Sequence, residues 1–197
     1  MMDFIDAEGF RANVGIILSN DTGLVMLAGR AGKRGWQFPQ GGVHPGETPQ
    51  QAMFRELYEE VGLREADVAM VGRTRDWLYY RLPPRYIRRN ATPRCIGQKQ
   101  IWFLLRLVAG ENAVRLDASD RPEFDRWRWV DYWRPVKEVI YFKRPVYVQA
   151  LAELAPALFP DGPPAQPGWW PKHWRADDRG SREEASAQDE GKRLRMA

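Results

Sequence analysis

The amino-acid sequence predicts an α/β sandwich built on a mixed sheet, and three observations carry that prediction. Short apolar and aromatic runs recur between residues 13 and 130, most of them bounded by Gly, Pro, Asn or Asp. Only two segments, 49–61 and 145–158, read as helices. The chain has 197 residues and 44% hydrophobic content, enough for one domain of about 150 residues with an appendage.

Taken in order, residues 13–19 (NVGIILS) and 24–29 (LVMLAG) are expected as strands around the turn Asn20-Asp21-Thr22-Gly23. Trp36-Gln37-Phe38 reads as a short third strand, stopped by Pro39 and the Gly41-Gly42 pair. A helix follows over Pro49–Val61. Thr48 stands at its N-cap with Gln51 three residues on, Pro49 suits the first helical position, and Gly62 supplies the stop. Further strands are expected at 68–75, 77–82, 101–108 and 127–130, and a last helix at 145–158. The domain is expected to span 1–160. From Asp161 the composition turns to Pro, Gly, Ser and charge, with seven basic and seven acidic residues, and a mobile tail is expected there. Trp169, Trp170 and Trp174 are its exception: they are read as incidental aromatics of that tail, with docking on the domain or on a partner as the alternative.

The net charge of +4 and pI of about 9.3 permit a polyanionic partner without demonstrating one. Cys95 is the single cysteine, which excludes an intramolecular disulfide and a four-cysteine zinc site. No signal peptide is legible in MMDFIDAEGF, and no apolar run approaches the roughly 18 residues that span a bilayer, so a cytoplasmic protein with no membrane association is expected. No Ser/His/Asp arrangement or P-loop is present, and His44 and His173 fall at positions without a chemical pattern.

The helix at 49–61 carries the chemistry. Glu56, Glu59 and Glu60 are spaced three and four apart and so share one face, with neighbouring Cβ atoms about 5–6 Å apart. Met53, Phe54, Leu57 and Val61 form the adjacent apolar stripe, which lets the helix pack on the sheet while presenting carboxylates to a cleft. Three such carboxylates repel unless a cation joins them, and hard oxygen ligands suit Mg²⁺ or Mn²⁺. By themselves, three glutamates on a helix usually mark a solvated face. Their surroundings decide otherwise.

Residues 41–63, GGVHPGETPQQAMFRELYEEVGL, fit Gly-x5-Glu-x7-Arg-Glu-U-x-Glu-Glu-x-Gly-U at every specified place, where U is aliphatic. A chance match at a given start is on the order of one in a billion. On this motif the chain is identified as a member of the Nudix hydrolase superfamily. The resemblance implies a Nudix fold, an α/β/α sandwich with a mixed β-sheet, in which the loop and helix of 41–63 hold divalent metal against a phosphoanhydride. It implies metal ligation by Glu56, Glu59 and Glu60, with the Gly41 backbone beside them, and bracing of the helix by an Arg55–Glu47 pair. Glu60 and Glu123 are the two candidates for the general base.

The likeness extends over roughly residues 9–150. Gly9-Phe10-Arg11-Ala12-Asn13, Trp36 to Gly42, Thr74-Arg75-Asp76-Trp77-Leu78, Gly97-Gln98-Lys99-Gln100, Pro122-Glu123-Phe124-Asp125 and Phe142-Lys143-Arg144 together resemble the bacterial RNA pyrophosphohydrolase subgroup. That subgroup also contains asymmetric dinucleoside tetraphosphate (Ap4A) hydrolases. The resemblance implies a single-stranded 5′-triphosphorylated RNA end as substrate, whose conversion to a 5′-monophosphate promotes mRNA decay. It also implies Glu123 as a further metal ligand, phosphate or nucleotide contacts from Arg11, Arg30 and Lys143, and base stacking on Phe142. Ala12 stands where the subgroup is expected to carry proline. Independently, residues 73–99 hold Arg73, Arg75, Arg81, Arg85, Arg88, Arg89, Arg94 and Lys99 against Asp76, with Trp77, Tyr79, Tyr80 and Tyr86 interleaved. Basic residues that track phosphates and aromatics that stack on unpaired bases make this segment a candidate RNA surface. A non-catalytic Nudix-fold module that binds RNA or nucleotides is the alternative of another class, and the intact glutamate set speaks against it.

Overall fold

A computed structural model describes residues 5–88, 90 and 92–170. Its strands are β1 (Phe10–Ser19), β2 (Val25–Arg30), β3 (Trp36–Gln37), β4 (Gln40–Gly42), β5 (Val68–Arg73), β6 (Leu78–Arg81), β7 (Gly97–Leu107) and β8 (Phe124–Val130). The helices are α1 (Pro49–Val61), α2 (Arg134–Glu138) and α3 (Arg144–Leu158). The main path of the sheet runs β3-β2-β1-β7-β5, with β4 also paired to β1, β6 to β7 and β8 to β2. The β1–β7 ladder is parallel and the other pairings are antiparallel, so the sheet is mixed.

Side chains alternate across β1 and define the two layers. Ala12, Val14, Ile16 and Leu18 face α1 and join Met53, Leu57, Val61, Phe103 and Leu105 in one buried cluster. On the opposite face Gly15 lies flat against Trp102, where an added Cβ would come within 2.5 Å of the indole. Tyr147 of α3 stacks on Phe38 at 5.1 Å and meets Trp102 edge-on at 5.0 Å.

The start of α1 follows its sequence closely. The Thr48 side chain accepts from the Gln51 N–H, the Gln51 side chain accepts from the Thr48 N–H, and Gly62 closes the helix at φ +72°. Elsewhere the strands depart from expectation for physical reasons. The Gly41-Gly42 pair does not end the sheet: Gln40, Gly41 and Gly42 pair with Gly15, Val14 and Asn13 as β4. Strands β1 and β7 each begin earlier than their apolar runs, because Phe10-Arg11-Ala12 and Gly97-Gln98-Lys99 hydrogen-bond side by side. Polar side chains are admissible there because one face of that part of the sheet lines a cleft. Strand β8 likewise starts at Phe124, and the five-residue α2 has too little periodicity to be read from sequence.

The unit that contains the sheet ends at Pro164, whose carbonyl accepts from Trp133 Nε1 at 2.7 Å. In the following unit Trp169 and Trp170 are ring neighbours at 5.8 Å. Trp174 and His173 lie outside the described residues. Among the described residues no helix is long and apolar enough to cross a membrane.

Candidate active site

Packing of Ala52, Met53, Leu57 and Val61 fixes the rotation of α1 and carries Glu56 and Glu60 inward, to 9% and 4% exposure. Glu59 stays on the exposed rim. Arg55 organises the surrounding charges. It grips Glu47 with Nε (2.9 Å) and one guanidinium nitrogen (3.0 Å), and the latter also donates to the Gly42 carbonyl at 2.7 Å. Its other nitrogen donates to Glu56 at 2.6 Å and to Glu59 at 3.2 Å. The helix is thereby tied to the loop that precedes it, and Arg55 holds the Glu47 carboxyl below its ordinary range.

Strand β4 supplies the floor. Gly41 rests on the Glu56 carboxyl so closely that a Cβ would fall 1.7 Å from its carbon, and Gly42 rests likewise on the Arg11 guanidinium at 2.5 Å. The Gln40 N–H donates to Glu60 at 2.8 Å, while the other Glu60 oxygen is buried without a hydrogen-bond partner. Burial, then the charges of Glu123 and Glu56, push the Glu60 carboxyl well above its usual range. Burial also raises Glu56, against the pull of Arg55 and with added repulsion from Glu59 and Glu123. Glu123 lies in the loop entering β8, anchored where its carbonyl accepts the Ala31 N–H at 2.8 Å. Facing these acids is Lys143, itself buried. Desolvation and the neighbouring Arg30 lower its ammonium to about 8, with Glu60 and Glu123 opposing the shift.

Phe142 is half-buried among aromatics, with ring centroids 6.0 Å from Tyr80, 5.0 Å from Tyr86 and 5.5 Å from Tyr141. The Arg85 guanidinium lies 5.0 Å over Tyr86 and 5.7 Å over Tyr141. Lys143 Nζ lies 5.8 Å over Tyr80. The segment 73–99 is divided by the alternation of its strands rather than forming one surface. Tyr80 and Gln98 turn to the face with Lys143 and Arg11, whereas Trp77, Tyr79 and Lys99 turn to the α1 face, where Lys99 pairs with Asp6 at 2.7 Å. Arg89 lies outside the described residues.

The structure thus brings Glu56, Glu60, Glu123, Lys143 and Arg30 into one neighbourhood, with Arg11 and Phe142 beside it, and leaves Glu59 at the rim. Among the described residues no three His, Cys, Asp or Glu side chains are already arranged as a metal cage. Arg55 occupies an oxygen of both Glu56 and Glu59. The partnerless buried oxygen of Glu60, the all-oxygen donor set and the Gly41 cradle nevertheless fit a hard divalent cation. Sequence reasoning missed Gln40, which holds Glu60, and the Asn13–Gln98 side-chain pair at 3.0 Å beside Arg11. Neither has a local pattern. Only their ladder positions next to the box loop reveal them.

The NUDIX domain model matches residues 9–153, which is most of the chain. The chain belongs to the NUDIX domain family. The chain is 63% identical to an RNA pyrophosphohydrolase of Alkalilimnicola ehrlichii over 83% of its own length and 90% of the relative's. It is 66% identical to an RNA pyrophosphohydrolase of Halorhodospira halophila, over 80% and 86% of the two chains. Among solved structures it is similar in fold to the E. coli dihydroneopterin triphosphate pyrophosphohydrolase, with a TM-score of 0.57 at 20% identity over 72% of this chain and 94% of that one.

Proposed function

We propose that this NUDIX hydrolase is an RNA pyrophosphohydrolase that uses Mg²⁺ or Mn²⁺ to remove pyrophosphate from the 5′-triphosphate end of RNA. The product is a 5′-monophosphorylated end, which in the cytoplasm promotes mRNA decay. One observation carries this reading. An acidic cluster of the buried Glu56 and Glu60 with the exposed Glu123 adjoins the cations Lys143 and Arg30 and lies beside an aromatic cluster centred on Phe142. The names of relatives at 63% and 66% identity support the same substrate.

Glu56, Glu60 and Glu123, with Glu59 and the Gly41 carbonyl, would hold the cation, which when bound neutralises phosphate charge and makes a coordinated water more acidic. The rest of the work belongs to the chain. Arg55 keeps Glu56 and Glu59 in place and ties them to Glu47. The Gln40 N–H orients Glu60, and either Glu60 or Glu123 accepts the proton of the attacking water. Lys143, buried and poised near about 8, and Arg30 meet the triphosphate, and Arg11 meets the adjoining phosphate. Phe142 offers its exposed face to an unpaired base.

The test is product analysis. Incubated with 5′-triphosphorylated RNA and Mg²⁺, the protein should release pyrophosphate and leave 5′-monophosphate RNA, and chelation should stop the reaction. Ends that remain triphosphorylated would refute the reading.

A further inference from the structure

Two turns carry most of the aromatic residues beside the acidic site, and among the described residues no backbone hydrogen bond joins them. One, Pro84–Tyr86, follows β6, and the other, Tyr141–Lys143, precedes α3. Side chains make the connection. The Arg85 guanidinium lies 5.0 Å over the Tyr86 ring on its own turn and 5.7 Å over the Tyr141 ring on the other. It also donates to the Tyr141 hydroxyl at 3.3 Å. Among the described residues no carboxylate pairs with Arg85. A cation that composition groups with phosphate-tracking residues is therefore engaged with two aromatic faces.

The rings that Arg85 touches are the ones that flank Phe142. Tyr86 lies 5.0 Å from it, and Tyr141 meets it edge-on at 5.5 Å. The third neighbour, Tyr80 at 6.0 Å, is 6% exposed and so is fixed by the core. Tyr86 and Tyr141 are 42% and 50% exposed, and core packing does not choose their rotamers. Behind Phe142, Lys143 is buried on the same turn, and Val146 and Tyr147 are buried at the start of α3. Packing thus holds the inner side of the aromatic cluster, and Arg85 holds the outer side.

We propose that Arg85 is a positioning residue, which clasps Tyr86 to Tyr141 and so holds the Phe142 ring in place for a base to stack on. This rests on the stacking role of Phe142 in the RNA reading above. Exposed rings that rotate freely must be ordered when a base arrives, at a loss in affinity of roughly fivefold for each side chain immobilised. The clasp orders them before RNA binds. Arg85 accordingly acts on KM, and it does so through Phe142 rather than by contact with a phosphate.

The experiment measures kcat and KM on 5′-triphosphorylated RNA at several salt concentrations for wild type, Arg85→Ala, Phe142→Ala and the double variant. Arg85→Ala should raise KM roughly fivefold with kcat nearly unchanged. Its melting temperature should match wild type, because the side chain is exposed. The logarithmic salt slope of KM should also stay at the wild-type value, whereas loss of a phosphate contact on a single strand would shift it by about 0.7. In the double variant KM should equal that of Phe142→Ala, since no ring remains to be positioned. Tyr141→Phe, which keeps the ring and removes the hydroxyl, should raise KM about twofold. A wild-type KM in Arg85→Ala, a salt slope shifted by about 0.7, or KM changes that multiply in the double variant would overturn the positioning role and leave the stacking role intact. A wild-type KM in Phe142→Ala would overturn both.

Discussion

Replacing Gly41 by alanine separates the backbone of β4 from the acid it supports. The added methyl would lie 1.7 Å from the Glu56 carboxyl carbon and 1.9 and 2.1 Å from its oxygens. Ordinary contact begins near 3.4 Å, so the carboxyl must retreat by about 1.7 Å. Metal–ligand distances tolerate only about 0.2 Å, and misplacing a catalytic group by about 1 Å costs on the order of 100-fold. The expected loss in kcat/KM is therefore at least about 100-fold, or about 2.7 kcal/mol of transition-state stabilisation. Gly41 is not in the positive-φ region, so the backbone accepts alanine without strain. The displaced group is the end of a flexible side chain, and the melting temperature should hardly move. Steady-state kinetics on triphosphorylated RNA, paired with thermal melting and Mg²⁺ titration, measures both effects. Wild-type kcat/KM in a normally folded Gly41→Ala protein would refute the claim that the Glu56 carboxyl must sit against β4.

Glu60→Gln should abolish turnover, yet in chelator its melting temperature should equal or exceed wild type, because the change removes a buried carboxylate repelled by Glu56 and Glu123; a large drop in melting temperature would contradict this. Mg²⁺ should raise the melting temperature of wild type and do so much less for Glu60→Gln, as differential scanning fluorimetry can record. Lys99 holds the Asp6 carboxyl below its unfolded value of 3.8, so that pair contributes stability above this pH and loses it as pH falls through the lowered value. Asp6→Asn should accordingly lower the melting temperature at pH 7, and by progressively less as pH falls below 3.8; a loss that stays constant down to the acid limit would show that the pair acts through packing instead. Gly15→Ala, which forces a methyl against Trp102, should destabilise by about 1–3 kcal/mol in urea unfolding without a direct effect on chemistry.

The helix and its acids were legible because several local signals coincide there. The capping box, Pro49, the apolar stripe and Gly62 agree on the same thirteen residues, and the structure gives Pro49–Val61. The carboxylates on that helix follow from spacing alone, but their different burial does not. Glu59 sits at the rim while Glu56 and Glu60 go inward, because the packing of Met53, Leu57 and Val61 sets the rotation of α1. Strand β4 was hidden because a glycine pair ordinarily signals a turn. Here the glycines are required so that β4 can approach Glu56 and Arg11 closely. The two-faced character of residues 73–99 was equally hidden in their composition. It emerges only from the register that sets Tyr79 beside Lys99 and Tyr80 beside Gln98. Glu123, Arg30 and Lys143 are distant in sequence, and no periodicity relates them. Their grouping came from the family resemblance, and the fold accounts for it by bringing the end of β2, the start of β8 and the turn before α3 together.

The most direct test of the RNA reading is the ratio of kcat/KM for 5′-triphosphorylated RNA to that for Ap4A, measured with wild type and Phe142→Ala. Both substrates offer a phosphoanhydride to the same acids, so discrimination must arise from the aromatic and basic groups beyond them. A stacking ring contributes about 1–3 kcal/mol per base. The ratio should favour RNA in wild type and fall by about tenfold or more in Phe142→Ala, mainly through loss on RNA. A wild-type preference for Ap4A that Phe142→Ala leaves unchanged would contradict the account and assign the cleft to dinucleoside polyphosphates.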